Sequence, residues 1–396
     1  MRSADMNCLI KGKVMNLHRG ILIRFGIVLA FFVPVANAEI VFQEKFDDLA
    51  DWTSTMYSSE AYQAVWLGDV LPGRWDTIYQ GGYYDPPSGH ASLEILEGNS
   101  DRARGGSGKS SVNWREHHIN PNFTNEWKSN SALGIHLDKF GGGYNQIYVE
   151  FWVAFDPNWT HSTASSKIFR VFSWDETGDF WQAFSGGAQG PLFLWDYSFS
   201  ESYGVRNKLS FRGGPHGENY QMTSEDVGDL PRELIGLGDM SANFTSDLQG
   251  ATYEGDASLL DKLTGSTLQS SGTISHEQIF GRGGTWTKVA FFVKMNSAPG
   301  VRDGVFKQWI DDNLIIETNK VEWVGQNPEN KMVKWNAVGI GGNDYWVNGG
   351  YSNSDQREEW YAIDDVVIST EILASDSGDG GNSSPPSPPQ SVTIEQ

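Results

Sequence analysis

Apolar and polar residues alternate with a period of two along much of this chain, and this pattern constrains the fold more than any other feature. In residues 147–155, Ile, Val and Phe occupy one face of a predicted strand, and Tyr, Glu and Trp occupy the other. The same alternation predicts strands at 288–295, 304–310 and 360–370, and turn residues 311–313 predict a hairpin. Many strands separated by glycine-rich turns predict an all-β sandwich or jelly roll.

The first 38 residues have the three parts of a secretory signal peptide. Basic residues precede an apolar run at 25–33, and Ala36-Asn37-Ala38 is the small-x-small pattern that a signal peptidase cleaves. A membrane anchor is the alternative, but the apolar run is too short to span a bilayer and Pro34 interrupts it. We therefore expect cleavage after Ala38 and a secreted protein, extracellular or periplasmic, without a membrane span.

Composition divides the remaining chain into three parts. Residues 39–374 are expected to form one β-sandwich domain. Within it, residues 223–285 are polar and rich in Gly, Ser and Asp, which predicts an insertion over one rim, with a short helical pattern around 259–263. Residues 375–390 are rich in Ser, Gly and Pro and predict a linker, and residues 391–396 resemble the start of a further module or a tail.

Charge and residue usage exclude several functions. The formal net charge of −21 argues against nucleic acid and anionic membranes as partners, because both bind basic surfaces. The one cysteine, Cys8, lies in the predicted leader, so the exported protein would have no disulfide and no thiolate nucleophile or ligand. The 16 Trp, 14 Tyr and 21 Phe residues suit stacking on sugars, although aromatic residues also favour strands and cores. We expect a monomer that binds polysaccharide.

Three segments carry a family resemblance: residues 147–156 with 166–170, residues 286–312, and residues 338–343 with 363–369. Together with the opening Phe42–Asp48, they resemble the concanavalin A-like jelly rolls of extracellular polysaccharide lyases, most nearly the family-14 alginate and glucuronan lyases. The chain departs from the family at the hairpin, where Asp312-Asn313 replaces Asp-Gly. The resemblance implies a concanavalin A-like β-sandwich of two antiparallel sheets, and a lyase that cleaves an acidic, uronate-containing polysaccharide by β-elimination.

The resemblance also implies catalytic residues. Lys167 matches the family lysine on the concave sheet, Arg212 matches the arginine of the groove, and His216 and Tyr220 follow in the next turn. Cations with a Tyr or His can neutralise the C5 carboxylate, remove the C5 proton and protonate O4. Arg170 is a candidate for binding substrate. In a regular strand, however, a spacing of three residues places Arg170 and Lys167 on opposite faces unless a bulge intervenes. Solvated surface charges are the alternative interpretation.

Two further groups of residues are candidate sites. Residues 102–118 are the most basic stretch, and Lys109, Arg115 and His117 are candidates for binding an anionic sugar, together with Trp152. Asp47 and Asp364 would meet where the first and last strands pair, which gives either a structural calcium site or solvated edge carboxylates. The β-elimination itself requires no cofactor.

Two other functions compete with the lyase. A non-catalytic carbohydrate-binding or adhesion module would fit the aromatic content and the predicted linker. A glycoside hydrolase of the same fold would need two carboxylates about 5 Å apart. The Glu-x-Asp-x-x-Glu string that sandwich hydrolases carry does not occur in this sequence.

Overall fold

The structure is a computed structural model, and the residues that it describes fall within one compact unit, Ala38–Gln396. The predicted signal peptide, the linker, His216 and Tyr220 lie outside the described residues. No helix among the described residues has the length and apolar character needed to cross a membrane. The described ranges are 39–54, 63–65, 71–80, 89–118, 126–128, 130–159, 165–177, 180–181, 189–200, 204–215, 259–268, 274–345 and 358–373.

These residues form 17 strands and three short helices. The helices are two 3-10 turns, Glu97–Arg102 and Leu137–Phe140, and the α-helix α1, His276–Phe280. The strands are β1 (Ile40–Glu44), β2 (Trp52–Thr53), β3 (Gln63–Val65), β4 (Thr77–Gln80), β5 (Leu93–Ile95), β6 (Ser111–His118), β7 (Glu126–Lys128), β8 (Asn130–His136), β9 (Gln146–Phe155), β10 (Ser165–Trp174), β11 (Gln189–Ser200), β12 (Gly204–Arg212), β13 (Thr287–Lys294), β14 (Gly304–Ile310), β15 (Asn313–Val321), β16 (Ala337–Tyr345) and β17 (Glu358–Ser369).

The strands form two antiparallel sheets, which confirms the predicted all-β sandwich. In the described residues the larger sheet has ten strands, in the order β15-β14-β13-β9-β17-β6-β5-β2, with β1 on β17 and β7 on β6. The smaller sheet has seven strands, in the order β12-β11-β10-β16-β8-β4-β3. The first and last strands pair side by side, as the resemblance implies.

The core lies between the sheets and follows from the alternation in the sequence. In β9, Ile147, Val149, Phe151 and Val153 are fully buried and belong to the main apolar cluster. Strands β10 and β11 of the smaller sheet contribute large rings to the same cluster from the other side. Burying each such side chain stabilises the fold by about 1.5–3 kcal/mol. A core of this size explains how a sandwich can form without disulfides.

The predicted hairpin is present and has a two-residue loop. Ile310 pairs with Asn313, and the two residues between them, Asp311 and Asp312, have φ values of 46° and 65°. Positive φ at both central positions gives the turn a twist that matches the flanking strands, and Asp tolerates this conformation. Asp311 Oδ1 also accepts a hydrogen bond from the Lys288 backbone N–H, so the turn is tied to β13.

The short helix predicted around 259–263 does not form, and this prediction was wrong. Residues 259–268 instead make a turn in which Leu260 and Thr267 form a β-bridge. Asp261 Oδ1 accepts hydrogen bonds from the backbone N–H groups of residues 263 and 264. This local side-chain bonding competes with a helix. Leu259 and Leu268 still reach the main apolar cluster.

Candidate functional site

The smaller sheet has an outer face, defined here as the side turned away from the larger sheet. Phe169, Val171 and Phe193 lie in the main cluster between the sheets. Phe172 and Leu194, one position further along the same strands, belong to a separate cluster. Because strand side chains alternate between faces, this second cluster marks the outer face. All candidate site residues of β10 to β12 can therefore be assigned to a face from their register.

A bulge in β10 brings Lys167 and Arg170 to the same face. One extra residue, Ile168, is inserted in β10 relative to β11, so that Lys167 is opposite Asp196 and Arg170 is opposite Leu194. Ile168 is fully buried in the main cluster. Directly opposed residues of an antiparallel pair share a face, and a bulge changes the alternation by one residue. Lys167 and Arg170 therefore both lie on the outer face.

Arg212 belongs to the same face at the end of β12. It is opposite Leu192, which lies in the outer-face cluster. Two strand spacings separate β12 from β10, which is about 10 Å between their backbones. Lys167 and Arg212 are both half-buried, whereas Asp196, between them on β11, is only 3% exposed. The outer face thus carries two half-buried cations: Lys167 directly opposite the buried Asp196, and Arg212 opposite Leu192, four positions away along β11.

The chain directly after Arg212 is fixed against the start of β11. A Cβ on Gly214 would overlap the backbone of Gly190 and Pro191, so this close approach requires glycine. The Gly214 N–H also donates to the Trp323 carbonyl at 3.0 Å. These contacts hold Pro215, the last described residue before His216, at the end of the outer face. The structure does not describe His216 and Tyr220 themselves, and their proton-transfer roles stay predictions.

Phe180 and Trp181, named here the aromatic cap, cover part of the outer face. The Trp181 indole donates from Nε1 to Thr77 Oγ1 at 3.3 Å, and its ring lies 5.2 Å from the Arg170 guanidinium. Cβ atoms on Gly134 and Gly339 would lie within 2.8 Å of the same ring, so these glycines allow the indole to approach the sheet. The cap leaves Arg170 only 4% exposed. Arg170 therefore holds the cap, while Lys167 and Arg212 stay accessible.

The other predicted sugar-binding residues belong to the larger sheet and its loops. Arg115 is 2% exposed, ion-paired with Glu359 at 2.7 Å, and its guanidinium lies 3.3 Å from the Trp159 ring centroid. Lys109 pairs with Asp51 at 3.1 Å. Trp152 lies on the outward side of β9, under the Arg104 guanidinium at 4.8 Å. His117 is in β6, but its side chain lies outside the described residues. None of these joins the described group of Lys167, Arg170 and Arg212.

Asp47 and Asp364 approach each other where β1 and β17 pair. Asp364 is 5% exposed and accepts backbone hydrogen bonds from Arg104 at 3.2 Å and Asp365 at 2.8 Å. Burial, together with the negative charges of Asp365 and Asp47, raises the pKa of Asp364 to about 7, although the two backbone donors lower it. Asp47 Oδ1 accepts the Lys109 N–H at 2.9 Å. Calcium binding by this pair stays a proposal.

The pKa of Asp364 predicts how stability depends on pH. A carboxyl group whose folded pKa is above its unfolded value stabilises the fold below the unfolded pKa, and this contribution is lost as pH rises through about 7. Asp364→Asn should remove this loss. Urea unfolding of both proteins at pH 4.5 and pH 8 should show the variant gaining roughly 2–4 kcal/mol relative to wild type over that interval. A difference that does not change with pH contradicts the assignment.

The structure adds two side chains that the sequence analysis missed. The sequence analysis did not single out Asp196, which lies within the apolar and aromatic segment Leu-Phe-Leu-Trp-Asp-Tyr. The alternation nevertheless places its side chain on the other face of the strand from Phe193 and Trp195. Trp181 follows an acidic turn, and its position over the sheet depends on distant glycines. The alternation of side chains along the strand could therefore have identified Asp196 as an outer-face residue. Nothing in the local sequence indicates the position of Trp181.

Comparisons with known proteins identify similar folds. No family model matches the chain, and no curated protein does. Among solved structures, it is similar to the marine PL-14 alginate lyase from Aplysia kurodai, with 11% identity over 84% of this chain and 99% of that chain and a TM-score of 0.44. A variant of the alginate lyase Aly36B in complex with alginate tetrasaccharide has 12% identity, coverages of 84% and 97%, and a TM-score of 0.42.

The third similar structure is the endo-β-1,4-glucuronan lyase from the fungus Trichoderma reesei, with 13% identity, coverages of 67% and 82%, and a TM-score of 0.34. All three structures are named as alginate or glucuronan lyases. At such low identity the similarity concerns the fold alone. The chain is an all-β sandwich of two antiparallel sheets with a fold-level resemblance to alginate and glucuronan lyases.

Proposed function

We propose that this protein is a secreted lyase that binds a uronate-containing polysaccharide on the outer face of the smaller sheet and cleaves it by β-elimination. The observation that carries the proposal is the charge of three neighbouring strands. Strands β10, β11 and β12 contain five basic residues and one acidic residue, which gives +4 in a chain of net charge −21. A local excess of positive charge attracts a polyanion even when the whole protein is acidic.

The chemistry assigns different tasks to the accessible cations and to the residues after them. When the C5 proton leaves, negative charge develops on the uronate carboxylate, and fixed cations stabilise it in the transition state. We assign this task to Lys167 and Arg212, the half-buried cations of the face. Proton removal and protonation of O4 need groups that exchange protons. We assign these steps to His216 and Tyr220, four and eight positions after Arg212.

Activity on a set of acidic polysaccharides is the direct test of this function. The purified protein is mixed separately with alginate, glucuronan and ulvan, and the absorbance of the unsaturated product is followed in the ultraviolet. At least one polymer should give a steady increase that boiled protein does not give. Folded protein that produces no unsaturated product from any polyuronate would refute the lyase assignment.

Arg212→Ala tests how the substrate is held. Removing the guanidinium should lower kcat/KM about 10- to 100-fold, through both KM and kcat, because a charge-assisted hydrogen bond to the uronate carboxylate contributes about 1.5–3 kcal/mol and strengthens as charge develops. Initial rates over a range of polymer concentrations measure both parameters. Arg302→Ala is the matched control, since Arg302 is exposed and pairs with Glu322 at 3.2 Å beside the larger sheet. Equal effects of the two substitutions would contradict the assignment.

Two observations disfavour the competing functions. A stacking module needs exposed rings, but Tyr79, Trp174 and Trp181 on the outer face are only 9%, 8% and 3% exposed. A hydrolase needs two facing carboxylates, but Asp196 is the one acidic residue in β10, β11 and β12. The binding module would retain the polymer without forming unsaturated ends, and the hydrolase would form reducing ends without ultraviolet absorbance.

A further inference from the structure

One imidazole and two carboxylates converge at the end of the outer face that is remote from Lys167. They belong to His136, the last residue of β8, to Asp138 in the following 3-10 turn, and to Glu176 just after β10. One ligand atom of each residue lies within 4.8 Å of the others. His136 Nε2 is 2.9 Å from Asp138 Oδ2 and 3.9 Å from Glu176 Oε1.

The His136 ring is held with its Nε2 atom facing the carboxylates. The ring packs edge-on against Trp174, with centroids 5.1 Å apart and an interplanar angle of 78°. Nε2 is buried and makes no hydrogen bond, despite its short distance to Asp138. The nitrogen and the oxygen are therefore close without pointing along a common hydrogen bond. Two atoms that bind the same metal ion are arranged in this way, because each is directed at the ion and not at the other.

Hydrogen bonds from neighbouring residues support the same interpretation. The Asn336 side-chain amide donates to Asp138 Oδ2 at 3.1 Å and also to the Trp174 carbonyl at 2.8 Å. The His136 backbone N–H donates to Asp76 Oδ2 at 2.7 Å. Partners of this kind fix the orientation of metal ligands. The site is thus built from strand ends and buried amides rather than from exposed acids alone.

We infer that His136, Asp138 and Glu176 form a binding site for one Zn²⁺ ion. Zinc binds imidazole nitrogen and carboxylate oxygen at about 2.0–2.2 Å, which places neighbouring ligand atoms roughly 3–3.5 Å apart. The observed 2.9 Å and 3.9 Å bracket this spacing, and Glu176, 62% exposed, can adjust. An imidazole ligand favours zinc over calcium and magnesium, which prefer oxygen.

The location assigns the ion a structural task. Trp174 lies seven positions after Lys167 in β10, which is about 20 Å at the strand rise, and β8 is four strand spacings, also about 20 Å, from the strand of Arg212. The ion is therefore far from both Lys167 and Arg212. Glu176 precedes the aromatic cap by only a few residues, whereas His136 belongs to the sheet below the cap. A zinc ion joining them would fasten the cap segment to β8.

Isothermal titration calorimetry with ZnCl₂ on the chelator-treated full chain tests the site. We expect one ion per chain with a dissociation constant of about 10 µM or tighter, and a higher melting temperature with zinc. Asp138→Asn and Glu176→Gln should each weaken binding at least about 10-fold. Both side chains are partly exposed, so these variants should fold even if His136→Gln does not.

Matched controls separate this site from adventitious binding. His90→Gln removes another histidine that lies 3.1 Å from a carboxylate, that of Glu94, and Glu329→Gln removes an exposed carboxylate elsewhere. Neither should change zinc affinity, and calcium at the same concentration should not raise the melting temperature through this site. Absent binding to the wild type, or affinity that survives both Asp138→Asn and Glu176→Gln, would overturn the inference.

Discussion

Lys167→Met should lower the rate of unsaturated-product formation about 10²- to 10³-fold, the usual cost of removing one group that stabilises transition-state charge. Methionine is an unbranched side chain only one atom shorter, and it removes the ammonium group of the residue opposite Asp196. The loss should appear mainly in kcat at saturating polymer. Initial rates of absorbance increase on the most active polyuronate measure it.

Lys307→Met is the control for that experiment. Lys307 lies in β14 of the larger sheet and pairs with Glu317 at 2.6 Å, so its removal changes the net charge equally without touching the outer face. It should retain nearly full activity. If Lys167→Met retains wild-type kcat with native circular dichroism, Lys167 has no part in the chemistry and the proposed site loses its main residue.

Arg115→Met should destabilise the fold by roughly 3–5 kcal/mol, because it leaves the carboxylate of Glu359 buried without its cation. Arg115 and Glu359 are 2% and 0% exposed, and their ion pair connects β6 to β17 inside the larger sheet. Urea unfolding of the purified variant measures the change. The double variant Arg115→Met with Glu359→Leu should recover much of the loss, since no buried charge remains.

Kinetics of the same variant test whether Arg115 contacts the sugar. We expect the folded fraction of Arg115→Met to keep the wild-type KM, because the guanidinium is enclosed by Glu359 and Trp159. Arg282→Met, at an exposed position, should change neither stability nor KM. A KM that rises at least about 10-fold in folded Arg115→Met would restore the sequence-based prediction that Arg115 binds substrate.

The sequence predicts the fold well because local alternation and turn chemistry act over a few residues. Strand β14 coincides with the predicted 304–310, and β9, β13 and β17 differ from their predictions by one or two residues at their ends. The helix around 259–263 failed because the Asp261 side chain bonds its own turn. A helix of five residues has little stability of its own, so hydrogen bonds from a side chain to its own turn can outweigh it.

The candidate site could be predicted only in part because its geometry depends on distant partners. The sequence places Lys167 and Arg170 three apart, but only the register against β11 shows the bulge that brings them to one face. Likewise, Arg115 looks like a surface cation in its local sequence, and its partner Glu359 is 244 residues away. The cap over Arg170 requires glycines from β8 and β16. Such contacts leave no local signal.

A crystal structure of the Lys167→Met protein with a uronate tetrasaccharide tests the central claim, that an anionic sugar chain binds across the outer face of β10, β11 and β12. We expect the oligosaccharide to lie on these strands, with a uronate carboxylate within hydrogen-bonding distance of the Arg212 guanidinium. A tetrasaccharide bound instead on the larger sheet, beside Lys109 and Trp152, would contradict it.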